Sequence, residues 1–334
     1  MAHQRLIWAD SLKGWLIILV VLGHAIQNTL GEVCETNHLW NIIYSFHMAA
    51  FMAISGYVAF RPGNSWDGKH VVSTIWRRFR QLIVPFILWT IITLLLQGGI
   101  SFGVLGSHLL YPDKGLWFLW VLFFINILFL SGSYLAQKLK IAQEIAISCI
   151  CIGLVVVMVL FEVRVFGFQF IAYYFLFYSL GYFFHKHEWR VATSSPLLLA
   201  ILALCWAVLA WFWKMHELPE FMKGLPLPAT LTQYGYRFIT AAIAVYLLLL
   251  LSPKVLNCSR QWNKPFVKLG TVSLGIYAVH FLFLGLWIGV FKGMNMVNGW
   301  VIVCTFIATL AATWLVVWLL SKWKLTETWL LGKI

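Results

Sequence analysis

The chain has 334 residues, of which 62% are hydrophobic and only 10% are charged. A domain of this length could not keep so apolar a surface dissolved in water, so the composition excludes a soluble globular protein and indicates a polytopic membrane protein. The net charge of +13 is explained by basic cytoplasmic loops and by affinity for anionic lipid headgroups, and it requires no nucleic acid partner.

Ten apolar segments are long enough to cross a hydrocarbon core of roughly 30 Å as helices. In chain order they lie near residues 11–30, 39–60, 79–98, 116–133, 142–161, 168–185, 196–214, 234–252, 270–291 and 299–321. No internal repeat or low-complexity tract is found. The sequence therefore predicts an all-α bundle of about ten transmembrane helices in a single membrane-embedded domain, 1–334, with no soluble appended domain.

The basic residues predict the orientation. If the N-terminus lies inside, the segments on the cytoplasmic side carry most of the 24 lysines and arginines. Short cytoplasmic loops hold such an excess, so both termini are predicted to face the cytoplasm. The first segment does not resemble a cleavable signal peptide, because its apolar run is long and no small-x-small cleavage site follows it before Glu32 and Glu35.

The first predicted helix contains both a lysine and a histidine, Lys13 and His24. Ionisable groups at membrane depth are costly, so they indicate a role in chemistry or transport. A spacing of eleven positions is about three helical turns, which places the two side chains on one stripe, roughly 16 Å apart along the axis. That distance resembles the reach of a pantetheine arm. Asp10 could cap this helix or pair with Lys13 three positions on.

Two more histidines lie in predicted spans. His24 and His47 lie about 9 Å and 12 Å from the outer ends of two antiparallel helices, so their imidazoles are predicted at a similar level, and His280 could approach the same cavity. A neutral imidazole can take a proton from a hydroxyl and return it to a leaving group. Each histidine could instead merely hydrogen-bond another helix. No acidic or cysteine ligand lies at a matching depth, so no metal site is predicted.

Arg77, Arg78 and Arg80 cluster at the inner end of the third segment, on the side predicted for Lys13. Arginines arranged in this way can clamp phosphate oxygens through bidentate hydrogen bonds. Alternatively they serve only the positive-inside signal, and Arg78 and Arg80 cannot both point the same way on a regular helix. Together with Lys13 they form a candidate anion site below His24.

Smaller features fit around these groups. Ser55, beside Gly56, lies near the inner end of the second segment, where small residues permit close backbone approach. Tyr277 lies three positions before His280 and lines the same helix face. Asn28, Gln27 or Tyr277 could donate to a developing oxyanion.

These residues resemble the integral membrane acyltransferases called acyltransferase family 3. The first-helix signature of that family, a basic residue followed by a histidine, is matched by the run from Trp8 to Gly14 that leads to Val20-Val21-Leu22-Gly23-His24. Its other landmarks appear in order: Phe46-His47-Met48, Ser55-Gly56-Tyr57, Arg78-x-Arg80 before Pro85, Leu116-Trp117-Phe118, Gly181-Tyr182, and Leu269-Gly270 through Ser273-Leu274 to Tyr277 and His280. Many members have proline where this chain has Ala49.

The resemblance implies a membrane O-acyltransferase of the bacterial plasma (inner) membrane. Such an enzyme moves an acyl group, usually acetyl, from cytoplasmic acyl-CoA to a hydroxyl of an envelope glycan or lipid-linked saccharide. The resemblance gives His24 an essential role and implicates Lys13, Arg78 and Arg80. We therefore expect His24 to act as general base with His47 in support, and acyl-CoA to bind near the three basic residues without a metal; a transient acyl-histidine is the competing mechanism.

Some family members carry an appended periplasmic domain, and we expect this chain to reach its acceptor unaided, as a homo-oligomer or with an envelope partner protein. A secondary transporter or flippase for a glycan or lipid precursor is the alternative function, because helical bundles with intramembrane histidines also describe such proteins. Against it, no repeated half and no pair of corresponding broken helices is found. A structural subunit without activity would leave the stripe of Lys13 and His24 unexplained.

Overall fold

A computed structural model describes residues 6–333 apart from 100, 113–114, 162, 164, 189–194, 225, 227 and 257–260, and it leaves out the side chain of residue 102. The helices in chain order are α1 (Ile7–Leu30), α2 (His38–Ala59), α3 (Gly68–Arg78), α4 (Val84–Leu96), α5 (Phe102–Leu110), α6 (Trp117–Leu139), α7 (Gln143–Phe161), α8 (Phe168–Lys186), α9 (Pro196–Trp211), α10 (Ala229–Leu256), α11 (Lys264–Thr271), α12 (Ser273–Gly293), α13 (Asn298–Leu320) and α14 (Lys324–Trp329). No strand occurs in these ranges. The chain is therefore an all-α polytopic membrane protein, as predicted.

Each of the ten predicted segments corresponds to a helix. Among the described residues, 9 helices are long and apolar enough to cross a membrane, and α9 is a shorter apolar helix. The 24 residues of α1 extend about 36 Å, whereas the 16 residues of α9 extend about 24 Å. The apolar length of each segment, a local property of the sequence, was sufficient to predict these elements.

The third predicted segment differs from the prediction in its start and in its geometry. The helix begins at Gly68, eleven residues before the predicted start, because α3 is polar and basic and a search for apolar length does not find it. A π-helical turn, Phe79–Ile83, joins α3 to α4. Pro85 lies at the start of α4 and has no backbone N–H to donate, which favours a local change of register.

Side chains at the ends of two loops cap the helices that follow them. Asn37 accepts a hydrogen bond from the backbone N–H of Trp40 at 3.1 Å, and α2 starts at the next residue. Asp67 in the same way accepts from the N–H of His70 at 2.7 Å before α3. Such caps satisfy backbone donors that have no partner within the first helical turn.

The helices group into two compact units. The first unit comprises Met1–Phe60 and Leu180–Trp314, and the second unit comprises Arg61–Ser179 and Leu315–Ile334. Within the first unit, α1 packs against α2, α10, α11 and α12, so it is the central helix of that unit. The single-domain organisation of the chain stays a prediction.

The contact between α1 and α11 is unusually close. A Cβ atom added at Gly14 would lie 2.7 Å from the carbonyl carbon of Phe266, and one added at Gly270 would lie 2.7 Å from that of Asp10. Ser11 donates a hydrogen bond to the side-chain oxygen of Asn263 across the same contact. Two backbones can approach this closely only where the side chain is a hydrogen atom.

Within the second unit, α6 packs against α3 and α7. Polar side chains join elements there: Tyr178 donates to the side-chain oxygen of Asn126 at 3.2 Å, and the indole N–H of Trp89 donates to the carbonyl of Leu330 at 2.9 Å. The second bond holds the segment after α14 against α4. Hydrogen bonds of this kind help apolar helices to associate in lipid.

Candidate active site

Two of the predicted histidines lie side by side in the first unit. The ring centroids of His24 on α1 and His280 on α12 are 5.2 Å apart, and the ring of Phe281 lies 4.7 Å from that of His24. His280 is fully buried, whereas His24 is partly exposed. Helices α1 and α12 pack together, and this packing brings together two imidazoles that are far apart in the sequence.

The third histidine, His47 on α2, joins the group through a tyrosine. The ring of Tyr44 lies 4.9 Å from that of His47, in an edge-on arrangement. The hydroxyl oxygen of Tyr44 lies 3.3 Å from Nδ1 of His24. The histidines of α1, α2 and α12 therefore belong to one aromatic cluster, in which His24 contacts His280 directly and Tyr44 lies between His24 and His47.

Backbone carbonyls determine the tautomers of His47 and His280. Nδ1 of His47 lies 2.7 Å from the carbonyl oxygen of Ile43, and Nδ1 of His280 lies 2.7 Å from that of Tyr277. A carbonyl oxygen only accepts hydrogen bonds, so in both residues Nδ1 carries the proton and the neutral ring keeps its lone pair on Nε2. Nε2 of His280 is buried, and none of the described residues forms a hydrogen bond with it.

Lys13 and Asp10 lie on α1, beside α11. The ammonium group of Lys13 is 3.9 Å from a carboxylate oxygen of Asp10, which is the pairing that the sequence indicated. The other predicted role of Asp10, as a helix cap, is wrong. Helix α1 begins at Ile7 after Leu6, and the side chain of Leu6 provides no cap, so Asp10 lies in the first turn. A carboxylate in that position still interacts favourably with the helix dipole.

The two remaining predicted side chains of this unit are placed differently. Tyr277 is buried, and its ring centroid lies 5.8 Å from that of His280. The hydroxyl of Ser55 donates to the carbonyl of Phe51 at 2.7 Å, within its own helix. Tyr277 thus contacts His280 of the aromatic cluster through both its ring and its carbonyl. The hydrogen bond of Ser55 stays within α2. Their supporting roles in function stay predictions.

Arg78 and Arg80, the two arginines of the predicted anion site that the family resemblance implicates, belong to the second unit. A guanidinium nitrogen of Arg78 donates to the side-chain oxygen of Gln81 at 3.1 Å, and the guanidinium of Arg80 lies 5.9 Å from the centroid of the Trp329 ring. Arg80 lies in the π-helical turn. The expectation that Arg78 and Arg80 point in different directions assumes a regular helix, so it does not apply there. Their joint site with Lys13 stays a prediction.

Sequence reasoning missed Tyr44 as a member of the cluster. It lies three positions before His47, and Gln27 lies three positions after His24, so helical spacing could have placed each beside a histidine. The sequence predicts Gln27 only as a possible oxyanion donor. Across the residues that the structure describes, no group of three or more His, Cys, Asp or Glu side chains is arranged to hold a metal ion.

The fold and the cluster together define a multi-pass helical membrane protein with candidate acid–base groups inside its bundle. Comparison with protein families identifies the family. The chain belongs to the family described as "Acyltransferase domain", whose model matches residues 6–318. The family membership that the sequence motifs predicted is therefore confirmed.

Two curated relatives are similar to this chain. One is the nodulation protein NolL of Sinorhizobium fredii (strain NBRC 101917 / NGR234), 31% identical over 226 residues that cover 62% of this chain and 56% of that protein. The other is the nodulation protein NolL of Mesorhizobium japonicum, 32% identical over 130 residues that cover 36% of this chain and 34% of that protein. The chain thus spans about half or less of the length of these relatives, and no solved structure gives a significant match.

Proposed function

We propose that this chain is a membrane O-acyltransferase that uses acyl-CoA, with His24 as its general base. The observation that carries the proposal is the place of His24 in a chain of the acyltransferase family: it is a partly exposed imidazole inside a bundle of apolar helices, next to His280. A histidine that is only structural would serve equally well if it were wholly buried. Partial exposure leaves part of the ring uncovered by other side chains, as a base that meets a substrate requires.

The reaction needs one proton acceptor and one proton donor, and a single imidazole can be both. Nε2 of His24 takes the proton of the acceptor hydroxyl as the hydroxyl oxygen attacks the thioester carbonyl. The carbon–sulfur bond then breaks, and the imidazolium returns the proton to the CoA thiolate. An acyl-histidine would require Nε2 itself to attack the carbonyl, which is the competing mechanism. Surrounding apolar helices limit the water that could hydrolyse the thioester.

Lys13 supports a phosphate-bearing donor. It lies three helical turns from His24 on the same helix, about 16 Å along the axis, and that separation suits a phosphate group held at one end of a pantetheine arm and a thioester at the other. We propose acetyl-CoA as the donor, a hydroxyl of an envelope glycan or lipid-linked saccharide as the acceptor, and the bacterial plasma membrane as the location. A homo-oligomer or an envelope partner protein also stays a proposal.

The proposal is tested with purified protein in lipid nanodiscs and radiolabelled acetyl-CoA as the probe. We expect saturable binding and slow release of CoA as the acetyl group passes to water in place of the acceptor hydroxyl, and we expect His24→Ala to abolish the release while it keeps the binding. His38→Ala is the matched control, because His38 lies on α2, is exposed and stacks on Trp211. Normal release by His24→Ala would overturn the assignment of the base. Movement of a saccharide into vesicles without CoA would instead identify a carrier.

A further inference from the structure

The tautomer of His24 is determined by side chains and not by the backbone. The hydroxyl of Tyr44 donates to the side-chain oxygen of Gln27 at 2.5 Å, and its oxygen lies 3.3 Å from Nδ1 of His24. A phenol hydroxyl can donate one hydrogen bond, and here it donates to Gln27. Towards His24, the Tyr44 oxygen can therefore only accept. Nδ1 of His24 must therefore carry the donated proton, and Nε2 keeps the lone pair.

Packing holds Tyr44 in this position. Its ring stacks on Trp40, with centroids 4.1 Å apart, and meets the ring of His47 edge-on at 4.9 Å. On its other side it lies against α1 at Gly23, where an added Cβ would be 2.9 Å from a carbon of the tyrosine ring. A rigid ring that is held on several sides keeps its hydroxyl in one place at little entropic cost.

We propose that Tyr44, oriented by Gln27, is a positioning residue that holds His24 in the tautomer whose Nε2 can accept a proton. This inference rests on the proposed function of His24 as general base. The Tyr44 oxygen also stabilises the imidazolium that forms when Nε2 takes the proton of the acceptor. No proton leaves Tyr44 during the reaction, because its own proton remains shared with Gln27.

The other two histidines show why this role is specific to His24. Nδ1 of His47 and Nδ1 of His280 both face carbonyl oxygens of their own helices, and a side-chain substitution cannot remove these acceptors. Nδ1 of His24 faces a side-chain hydroxyl, which a single substitution removes. Loss of the correct tautomer is known to cost an acid–base enzyme several powers of ten in rate.

The test is Tyr44→Phe, which keeps the ring and removes the hydroxyl. We expect kcat for CoA release from acetyl-CoA to fall about a hundredfold, with KM for acetyl-CoA changed less than about threefold. Gln27→Met removes the acceptor of the tyrosine hydroxyl and should lower kcat about tenfold. The matched control is Tyr236→Phe, which removes a hydroxyl that donates to the carbonyl of Leu209 at 2.5 Å.

A second measurement separates positioning from simple loss of structure. Nitrogen-15 spectra of histidine-labelled protein distinguish a protonated ring nitrogen from an unprotonated one, and His24→Gln identifies the signals of His24. We expect a single Nδ1–H tautomer in the unsubstituted protein and a mixture in Tyr44→Phe. Unchanged spectra and unchanged kcat in Tyr44→Phe would overturn the inference while leaving the proposed function intact. An active His24→Ala would overturn the proposed function itself.

Discussion

Replacing Gly14 with alanine is expected to force α1 and α11 apart. The added methyl would lie 2.7 Å from the carbonyl carbon of Phe266 and 3.1 Å from its Cα, whereas ordinary van der Waals contact begins at 3.4 Å. These atoms are backbone, so no side-chain rotation relieves the clash, and the helices must separate by roughly 1 Å. Overpacking of this kind costs about 1–3 kcal/mol.

Separation of the helices would also weaken their polar contact. The hydrogen bond from Ser11 to Asn263 crosses the same contact between two buried side chains, and its loss adds about 1 kcal/mol. We therefore expect Gly14→Ala to lower the free energy of unfolding by about 2–4 kcal/mol. The assay is reversible unfolding in mixed micelles, in which the fraction of SDS is raised stepwise and helix content is followed by circular dichroism.

A control and a double variant make this prediction specific. Gly289 lies in α12, and an added Cβ there would meet no atom within 4 Å, so Gly289→Ala should leave stability unchanged or raise it by up to about 1 kcal/mol. Because the clash involves the carbonyl of Phe266 and not its ring, the double variant Gly14→Ala/Phe266→Ala should not recover stability. If Gly14→Ala and the unsubstituted protein unfolded at the same midpoint fraction of SDS, the reasoning would be refuted.

Two further predictions concern charged side chains. Lys13→Ala should weaken acetyl-CoA binding about tenfold in equilibrium dialysis, because a phosphate contact of about 1.4 kcal/mol is lost. The control Lys254→Ala, at the exposed end of α10, should bind acetyl-CoA as the unsubstituted protein does. Equal affinities of the two variants for acetyl-CoA would contradict the donor site. Asp67 accepts from the N–H of His70, and this bond lowers the pKa of Asp67. The stabilisation of α3 by ionised Asp67 is therefore fully present above the pKa that Asp67 has in the unfolded chain. It is lost as the pH falls through the lower pKa that Asp67 has in the folded protein. Asp67→Ala should speed hydrogen exchange of the His70 amide at neutral pH but not in strong acid, and an equal effect at both would exclude the cap.

The transmembrane helices could be predicted from the sequence because apolar length is a local property. All ten predicted segments correspond to helices, and their bounds agree within a few residues for α1, α2 and α7. The prediction failed where a helix is polar or too short to span a bilayer, as in α3, α5, α11 and α14. Periodicity of apolar residues does not distinguish these elements from loops when the surrounding spans dominate the hydropathy.

The candidate site was predicted only in part. The stripe of Lys13 and His24 follows from the geometry of one helix, and the depths of the histidines along the predicted helices placed His47 at the level of His24 and His280 near the same cavity. Two observations required coordinates: the position of Tyr44 against Nδ1 of His24, and the pairing of Asp10 with Lys13 in place of a cap. Both are contacts of side chains that have several possible partners, and only the coordinates show which partner is bound.

The sequence by itself determined that this chain crosses the membrane many times and that its ionisable groups lie on particular helix stripes, because the hydrophobic effect and the helical repeat both act along a single segment. Only the tertiary structure decided that α1 meets α11 at two glycines and that His24 lies beside His280 and Tyr44. The physical reason is that packing between helices depends on the shapes of residues far apart in the chain, which no local pattern encodes.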